Sequence, residues 1–206
     1  MSETVLWDYP KSSASYRLRI ALNLAGVEYR VETVDLLTGA HRSDAHLTRN
    51  PQGFVPVLDI DGHRFTQSLA ILDYLDATRD MGLLPSEPAD RAKVTALAHC
   101  IAVDLHPVCN LSVMRHATGG EEPGRTEWMR HFIRPGLEAF EVLLAGFEQT
   151  PFATGSTPNL ADICLIPQLY NANRWGVEYS DLSRITAVEK ACATHDAFKA
   201  AHPDMV

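Results

Sequence analysis

The most informative part of the sequence is SSASYRLRIAL, residues 12–22. It follows a predicted short strand at residues 4–9 and runs directly into a predicted helix, which carries apolar residues at helical spacing and ends at Gly26. The first backbone N–H groups of a helix lack partners and carry a partial positive charge. The hydroxyl groups of Ser12 and Ser13, held at that point, can donate a hydrogen bond to an anion and suit a thiolate.

The first 80 residues predict a small domain that mixes strands and helices. A second strand is predicted at residues 29–34, a short or irregular helix at 41–49, and a helix at 67–79. Asp61-Gly62 predicts a tight turn between two further strands. The expected order of elements is βαβ-α-ββα, in a domain of residues 1–80.

The rest of the chain predicts helices only, so the fold class is α/β plus all-α. Residues 81–88 hold Gly82 and two prolines and are predicted to be a linker, and residues 89–206 an all-helical domain. Its predicted helices cover residues 90–117, residues 125–147 with a bend or break at Pro135, a segment capped by Asn159 together with Asp162, and one or two helices within 182–201.

Composition excludes several functions. The net charge is −8 and there is no basic run, which disfavours nucleic acid and anionic membranes as partners. No apolar run reaches 18 residues and no secretory signal is expected. The four cysteines lack Cys-x-x-Cys spacing, which indicates reduced thiols in a cytoplasmic protein. The histidines form no His-Glu-x-x-His motif, so no metal site is expected.

Two further features of the first domain could bind a ligand. Pro56 follows Val55 inside a predicted strand. A cis bond would turn the chain and expose the Val55 backbone to an extended peptide, whereas a trans bond in an edge strand is the alternative that the dipeptide alone favours. Gln67 and Ser68 open a helix directly after the hairpin, where Ser68 is predicted to be the N-cap, with or without an anion bound.

A resemblance covers nearly the whole chain. It rests on motifs that occur in order and at familiar separations: residues 12–22, NPQGFVP at 50–56, QSLAILDYL at 67–75, LLP at 83–85, HPVCNLSV at 106–113, LADICLIPQ at 160–168 and NANRW at 171–175. In these segments the chain resembles the zeta class of glutathione transferases and, within it, the maleylacetoacetate isomerase family. The resemblance implies a thioredoxin-like N-terminal domain, a C-terminal helical bundle and a homodimer.

The resemblance also implies that glutathione is the cofactor. Its γ-glutamyl carboxylate would bind Ser68, with Gln67 beside it, its cysteinyl backbone would bind Val55, and its sulfur would bind Ser12, with Ser13 as second donor. His106 and Asn110, predicted on one helix face, would lie near the tripeptide.

The resemblance further implies that two positively charged side chains bind the substrate. Arg174 would hold and activate a small unsaturated diacid, and Lys11 would hold its second carboxylate. From the residues alone, a packed histidine at position 106 and a solvated or ion-paired arginine at position 174 are open alternatives.

The implied activity is the glutathione-dependent conversion of maleylacetoacetate to fumarylacetoacetate in tyrosine and phenylalanine catabolism. Ala14 departs from the family pattern, which usually has cysteine there, and places the chemistry on the neighbouring serines. Alternatives are a maleylpyruvate isomerase, a transferase acting on small electrophiles such as α-halo acids, or a binding module without catalysis.

Overall fold

The computed structural model describes residues 3–206, which divide into two compact units. One unit comprises the described residues up to Met81 together with Asp196–Val206, and the other is Gly82–His195. The sequence assigns Asp196–Val206 to the helical domain, so the observed division differs from the predicted one at this segment. Near residue 81 the observed boundary falls at the start of the predicted linker.

The first unit contains a four-stranded mixed sheet. Its strands are β1 (Val5–Asp8), β2 (Arg30–Thr33), β3 (Val57–Ile60) and β4 (His63–Thr66), in the order β2-β1-β3-β4. β1 and β2 are parallel, whereas β3 is antiparallel to both β1 and β4. The helices are α1 (Ser13–Leu24), α2 (Asp44–Arg49) and α3 (Ser68–Arg79), with a 3₁₀ turn at Ala40–Arg42. This is the predicted βαβ-α-ββα arrangement with a thioredoxin-like sheet.

A late helix completes the packing around α1. This helix, α10 (Asp196–Ala201), packs against α1, which also packs against α3. The side chain of Asn23 donates to the backbone carbonyl of Ala197 at 3.1 Å. Sequence periodicity identifies α10 as a helix but cannot say which apolar surface it covers.

The second unit is entirely helical. Its helices are α4 (Pro88–His99), α5 (His106–Val108), α6 (Leu111–Thr118), α7 (Gly124–Leu144), α8 (Leu160–Arg174) and α9 (Ser183–Thr194). The capping pair predicted for α8 is confirmed, because Asn159 accepts from the backbone of Ala161 at 2.9 Å and Asp162 accepts from that of Asn159 at 2.9 Å.

The single long helix predicted at residues 90–117 is wrong. After α4 the chain continues as a π-helical segment, Cys100–Leu105, into the short α5. It then breaks, because Asn110 is extended (φ −64°, ψ 140°) and its side chain accepts from the backbone N–H of Ser112 at 3.0 Å, so that it caps α6. His106 and Asn110 therefore do not share one helix face.

The sequence predicts a bend or a break at Pro135, and the break is wrong. α7 runs without interruption through Pro135. The helix buries apolar side chains along its whole length, and this burial offsets the one backbone hydrogen bond that proline removes. These side chains are Met129, Ile133, Leu137, Phe140 and Leu144.

Within residues 3–206, no single helix has the length and apolar character needed to cross a membrane, although Pro88–Val108 and Leu111–Thr118, bent by 43°, pass that test as a pair. In the same residues, no three His, Cys, Asp or Glu side chains lie close enough together to hold a metal ion.

Candidate active site

Ser12 is the N-cap of α1. Its Oγ accepts a hydrogen bond from the backbone N–H of Ser15 at 3.2 Å, and its carbonyl accepts from the N–H of Tyr16 at 2.9 Å. Because Oγ acts as an acceptor within the chain, its own hydrogen remains available to donate to an anion. Ser13, the first residue of α1, is buried, whereas Lys11 is exposed. Two serines and an exposed lysine therefore occupy consecutive positions of the chain at the start of α1.

The turn that leads to Ser12 is held by a buried arginine. Arg19 on α1 donates to both carboxylate oxygens of Asp8 (2.9 and 2.7 Å), to the carbonyl of Pro10 (2.8 Å) and to that of Ala201 (2.9 Å). It connects the end of β1, the turn before Ser12 and the end of α10. Sequence periodicity missed Arg19, because nothing in the pattern distinguishes a buried arginine from an exposed one.

Val55 lies in the chain just before β3, and the Val55–Pro56 peptide bond is cis. The trans bond favoured by the dipeptide alone is therefore wrong. Val55 is buried, and neither of its backbone polar groups has a hydrogen-bond partner within residues 3–206. An extended ligand could satisfy both groups.

The N-terminus of α3 brings a hydroxyl group next to a buried cation. Gln67, with φ 68°, is the N-cap of α3, so Ser68 is its first residue and not the predicted cap. Ser68 Oγ accepts from the guanidinium of Arg17 at 3.2 Å, and both residues are buried. The Gln67 amide donates to that of Gln52 at 2.7 Å. Arg17, which the sequence analysis missed, adds positive charge to the partial charge of the helix N-terminus.

The second unit holds the remaining predicted site residues. His106 is half-buried in α5, and Asn110 caps α6. Arg174 is the last residue of α8 and is exposed, with its guanidinium carbon 6.0 Å from the ring centroid of Tyr170. No carboxylate in the described part of the chain forms an ion pair with Arg174, which leaves the guanidinium available to a carboxylate ligand.

The protein's own thiols are poorly suited to act as nucleophiles. Burial raises the pKa of Cys109 to about 12, and burial also raises the pKa values of Cys100 and Cys192. All four cysteines are free. Since the thiolate is the reactive form, the thiols of Cys100, Cys109 and Cys192 are poorly suited to act as nucleophiles at neutral pH.

Comparisons with known proteins identify the family of this chain. Residues 2–77 match the family model "Glutathione S-transferase, N-terminal domain". The maleylacetoacetate isomerase of Rhizobium meliloti is 55% identical over 207 residues, covering 98% of this chain and 97% of the relative.

Two solved structures extend the likeness to the whole fold. A holo structure of maleylpyruvate isomerase, a bacterial zeta-class glutathione S-transferase, superposes with a TM-score of 0.93 at 37% identity and covers 98% of both chains. The maleylacetoacetate isomerase of Anaeromyxobacter dehalogenans 2CP-1, with bound dicarboxyethyl glutathione and citrate, gives a TM-score of 0.87 at 37% identity and covers 99% of this chain and 92% of that one. This chain belongs to the zeta class of glutathione transferases, in the maleylacetoacetate isomerase family.

Proposed function

We propose that this chain is a glutathione-dependent cis–trans isomerase that converts maleylacetoacetate to fumarylacetoacetate in the breakdown of tyrosine and phenylalanine. The observation that carries the proposal is the Ser12 hydroxyl at the N-terminus of α1. Its oxygen accepts a hydrogen bond from the backbone N–H of Ser15, so its hydrogen is left for an anion that residues 3–206 do not supply. Solved structures of relatives with this fold contain glutathione or a dicarboxyethyl adduct of it. The thiolate of glutathione is an anion of the kind that the Ser12 hydroxyl could bind.

Glutathione is an extended tripeptide whose groups match the first unit. Its γ-glutamyl carboxylate would bind Ser68 and Gln67, where the buried Arg17 adds positive charge. Its cysteinyl backbone would pair with the free backbone groups of Val55. Its sulfur would accept a hydrogen bond from Ser12, with Ser13 as a second donor. The resemblance to the zeta class further implies that His106 and Asn110 contact glutathione.

The chemistry needs a thiolate and a way to stabilise developing negative charge. The Ser12 hydrogen bond and the helix N-terminus both lower the pKa of the bound thiol. The thiolate adds to the cis carbon–carbon double bond, and the electron pair of that bond moves onto the conjugated carbonyl oxygen as an enolate. The former double bond is now single and rotates. The enolate then reforms the carbonyl and the double bond, now trans, and expels the thiolate.

The substrate is a diacid, so its binding needs cations. Arg174 would hold one carboxylate through two parallel hydrogen bonds and stabilise the enolate, and Lys11 would bind the other. Both side chains are exposed. Ala14 removes a protein thiol without removing the nucleophile, because the reacting sulfur belongs to glutathione.

Maleylpyruvate is the second candidate substrate. It carries the same conjugated cis double bond between acidic groups, and the maleylpyruvate isomerase structure matches this chain with a TM-score of 0.93. Small electrophiles such as α-halo acids would stop at the glutathione adduct, because displacement of halide leaves no enolate to reverse the addition.

Turnover assays separate these functions. We expect isomerisation of maleylacetoacetate only when glutathione is present, and a higher kcat/KM for maleylacetoacetate than for maleylpyruvate. The reverse order of the two kcat/KM values would assign the second substrate. Tight glutathione binding without turnover of either diacid would leave a transferase that acts on small electrophiles or a binding module without catalysis.

We further propose that the chain acts as a homodimer, as the resemblance to the zeta class implies, and that it works in the cytoplasm, where its free cysteines would stay reduced. Sedimentation equilibrium should give twice the mass of 22.8 kDa. A mass of one chain at micromolar concentration would contradict the dimer.

A further inference from the structure

The carbonyl of Phe54, immediately before Val55, accepts hydrogen bonds from two buried side chains. His46 Nε2 lies 3.0 Å from this oxygen, and so does Asn50 Nδ2. His46 is 1% exposed and Asn50 is 2% exposed. Both donors come from α2 and the turn that ends it, and they converge on one peptide group.

Holding this carbonyl also fixes the Val55 N–H. A peptide group is planar, and in the trans form its carbonyl and N–H point in opposite directions. The Phe54–Val55 bond is not among the cis bonds of the described chain. With its carbonyl turned towards two interior donors, the peptide directs the Val55 N–H away from them. That N–H has no acceptor within residues 3–206.

The two donors are themselves held in place. Asn50 Oδ1 accepts from the backbone N–H of Gln52 at 3.1 Å, and the backbone N–H of Asn50 donates to the carbonyl of His46 at 2.9 Å. The turn closes with the N–H of Gly53 on the Asn50 carbonyl at 2.8 Å. The Asn50 amide nitrogen and the His46 ring therefore reach Phe54 from a rigid frame.

The His46 ring serves the Phe54 carbonyl at a cost. A carbonyl only accepts, so Nε2 carries the hydrogen of this bond. The other ring nitrogen, Nδ1, is buried and has no hydrogen-bond partner in the described chain. An unsatisfied buried polar atom is unfavourable, and a purely apolar side chain would avoid it. The hydrogen bond to the Phe54 carbonyl is therefore the reason why a histidine, and not an apolar residue, occupies position 46.

We propose that His46 and Asn50 are positioning residues for glutathione: by fixing the Phe54 carbonyl they orient the Val55 N–H to donate to the backbone of the tripeptide. This rests on the proposed function, in which Val55 pairs with glutathione. The ligand then meets a peptide group that is already oriented and loses less entropy on binding. Neither His46 nor Asn50 touches the reacting sulfur, so they act on affinity and not on the chemical step.

Variants of His46 test the donor. His46→Leu removes it, whereas His46→Gln keeps an N–H donor at similar reach. We expect calorimetric titration to show an increase of about 5- to 30-fold in the Kd of glutathione for the leucine variant, the range of one or two lost hydrogen bonds, and less than about 3-fold for the glutamine variant. The kcat at saturating glutathione should stay within about 2-fold of wild type. His63→Leu, an exposed histidine of β4, is the matched control and should bind glutathione as wild type does.

Asn50→Asp provides a second test that preserves shape. The carboxylate still accepts from the backbone of Gln52 but cannot donate to the Phe54 carbonyl, so glutathione should bind about 5- to 30-fold more weakly. This variant tests the proposal even if His46→Leu does not fold. The inference is overturned if Asn50→Asp binds like wild type, or if a folded His46→Leu binds like wild type or like His46→Gln. If wild type itself takes up no glutathione, the proposed function falls and the inference falls with it. If wild type binds glutathione and these variants bind it equally well, the inference is overturned and the proposed function stands.

Discussion

Asp8 and Arg19 form an ion pair of 2.7 Å in which neither side chain has any exposed surface. Desolvating two charges is expensive, and their attraction offsets that cost only because the geometry and the additional hydrogen bonds are good. Here Arg19 also donates to the carbonyls of Pro10 and Ala201. The pair therefore stabilises the turn before Ser12 and the docking of α10 at the same time.

We expect Asp8→Asn to lower the free energy of unfolding by about 3–5 kcal/mol, because it leaves the Arg19 charge buried and uncompensated. Chemical denaturation followed by circular dichroism measures this loss. Glu3→Gln is the control, since its pair with Arg30 is exposed and is worth less than about 1 kcal/mol. Equal losses in the two variants would show that burial does not set the strength of the Asp8 pair.

Substitutions of Ser12 separate its role as a cap from its role as a donor. Ser12→Gly loses the hydroxyl but costs the helix only a few tenths of a kcal/mol, whereas Ser12→Thr keeps both functions. We expect Ser12→Gly to lower the isomerase kcat by about 10- to 100-fold, the range of a hydrogen bond to a charged group, and Ser12→Thr to keep most activity.

The absorbance of the thiolate in the glutathione complex reports the cause directly. Its titration midpoint should move to higher pH in Ser12→Gly. An unchanged midpoint together with full activity would transfer the donor role to Ser13.

Arg174→Ala should raise the KM for the diacid by about 10- to 100-fold, because a charge-assisted pair with a carboxylate is lost. The melting temperature should not change, since the side chain is exposed and forms no ion pair in the described part of the chain. Steady-state kinetics with Arg91→Ala, another exposed arginine, as control measures the effect. If Arg174→Ala and Arg91→Ala had the same KM for the diacid, Arg174 would not be a substrate-binding residue.

Asp162 makes stability depend on pH in an unusual direction. Burial raises the pKa of Asp162 to about 6, although the backbone N–H groups of Ala153 and Asn159 lower it. At a pH between about 4, the ordinary pKa of an aspartate, and about 6, Asp162 is protonated in the folded protein and ionised in the unfolded chain. The contribution of Asp162 to stability is therefore full at low pH and falls by about 3 kcal/mol as the pH rises through about 6.

Denaturation of wild type and Asp162→Asn across this range isolates the contribution. The free energy of unfolding of wild type minus that of the variant should decrease by about 3 kcal/mol between about pH 4 and about pH 7. An increase over the same interval would mean that the two N–H groups, and not burial, dominate the pKa.

Local patterns predicted much of this fold because the relevant interactions are local. The helix after Ser12, the turn at Asp61 and the cap of α8 by Asn159 all depend on residues within four positions of one another. The break at Asn110 is local too, but the apolar periodicity on both sides of it masked the cap.

The buried cations could not be predicted, because their partners are distant in sequence. Arg17 binds Ser68, 51 residues away, and Arg19 binds Ala201, 182 residues away. No period or motif encodes such a pairing. His46 is similar, since its bond to Phe54 depends on how the turn after α2 closes. The roles of Ser12, Ser68 and Arg174 came from the resemblance.

The place of α10 has a consequence for synthesis. A ribosome that has translated the sheet and its three helices has made every strand of the first unit, yet the segment that covers α1 and accepts from Arg19 is still more than a hundred codons away. Until then the nascent chain exposes an apolar helix surface and a guanidinium with one acceptor missing. The second unit, continuous in sequence, can finish folding before the unit that precedes it.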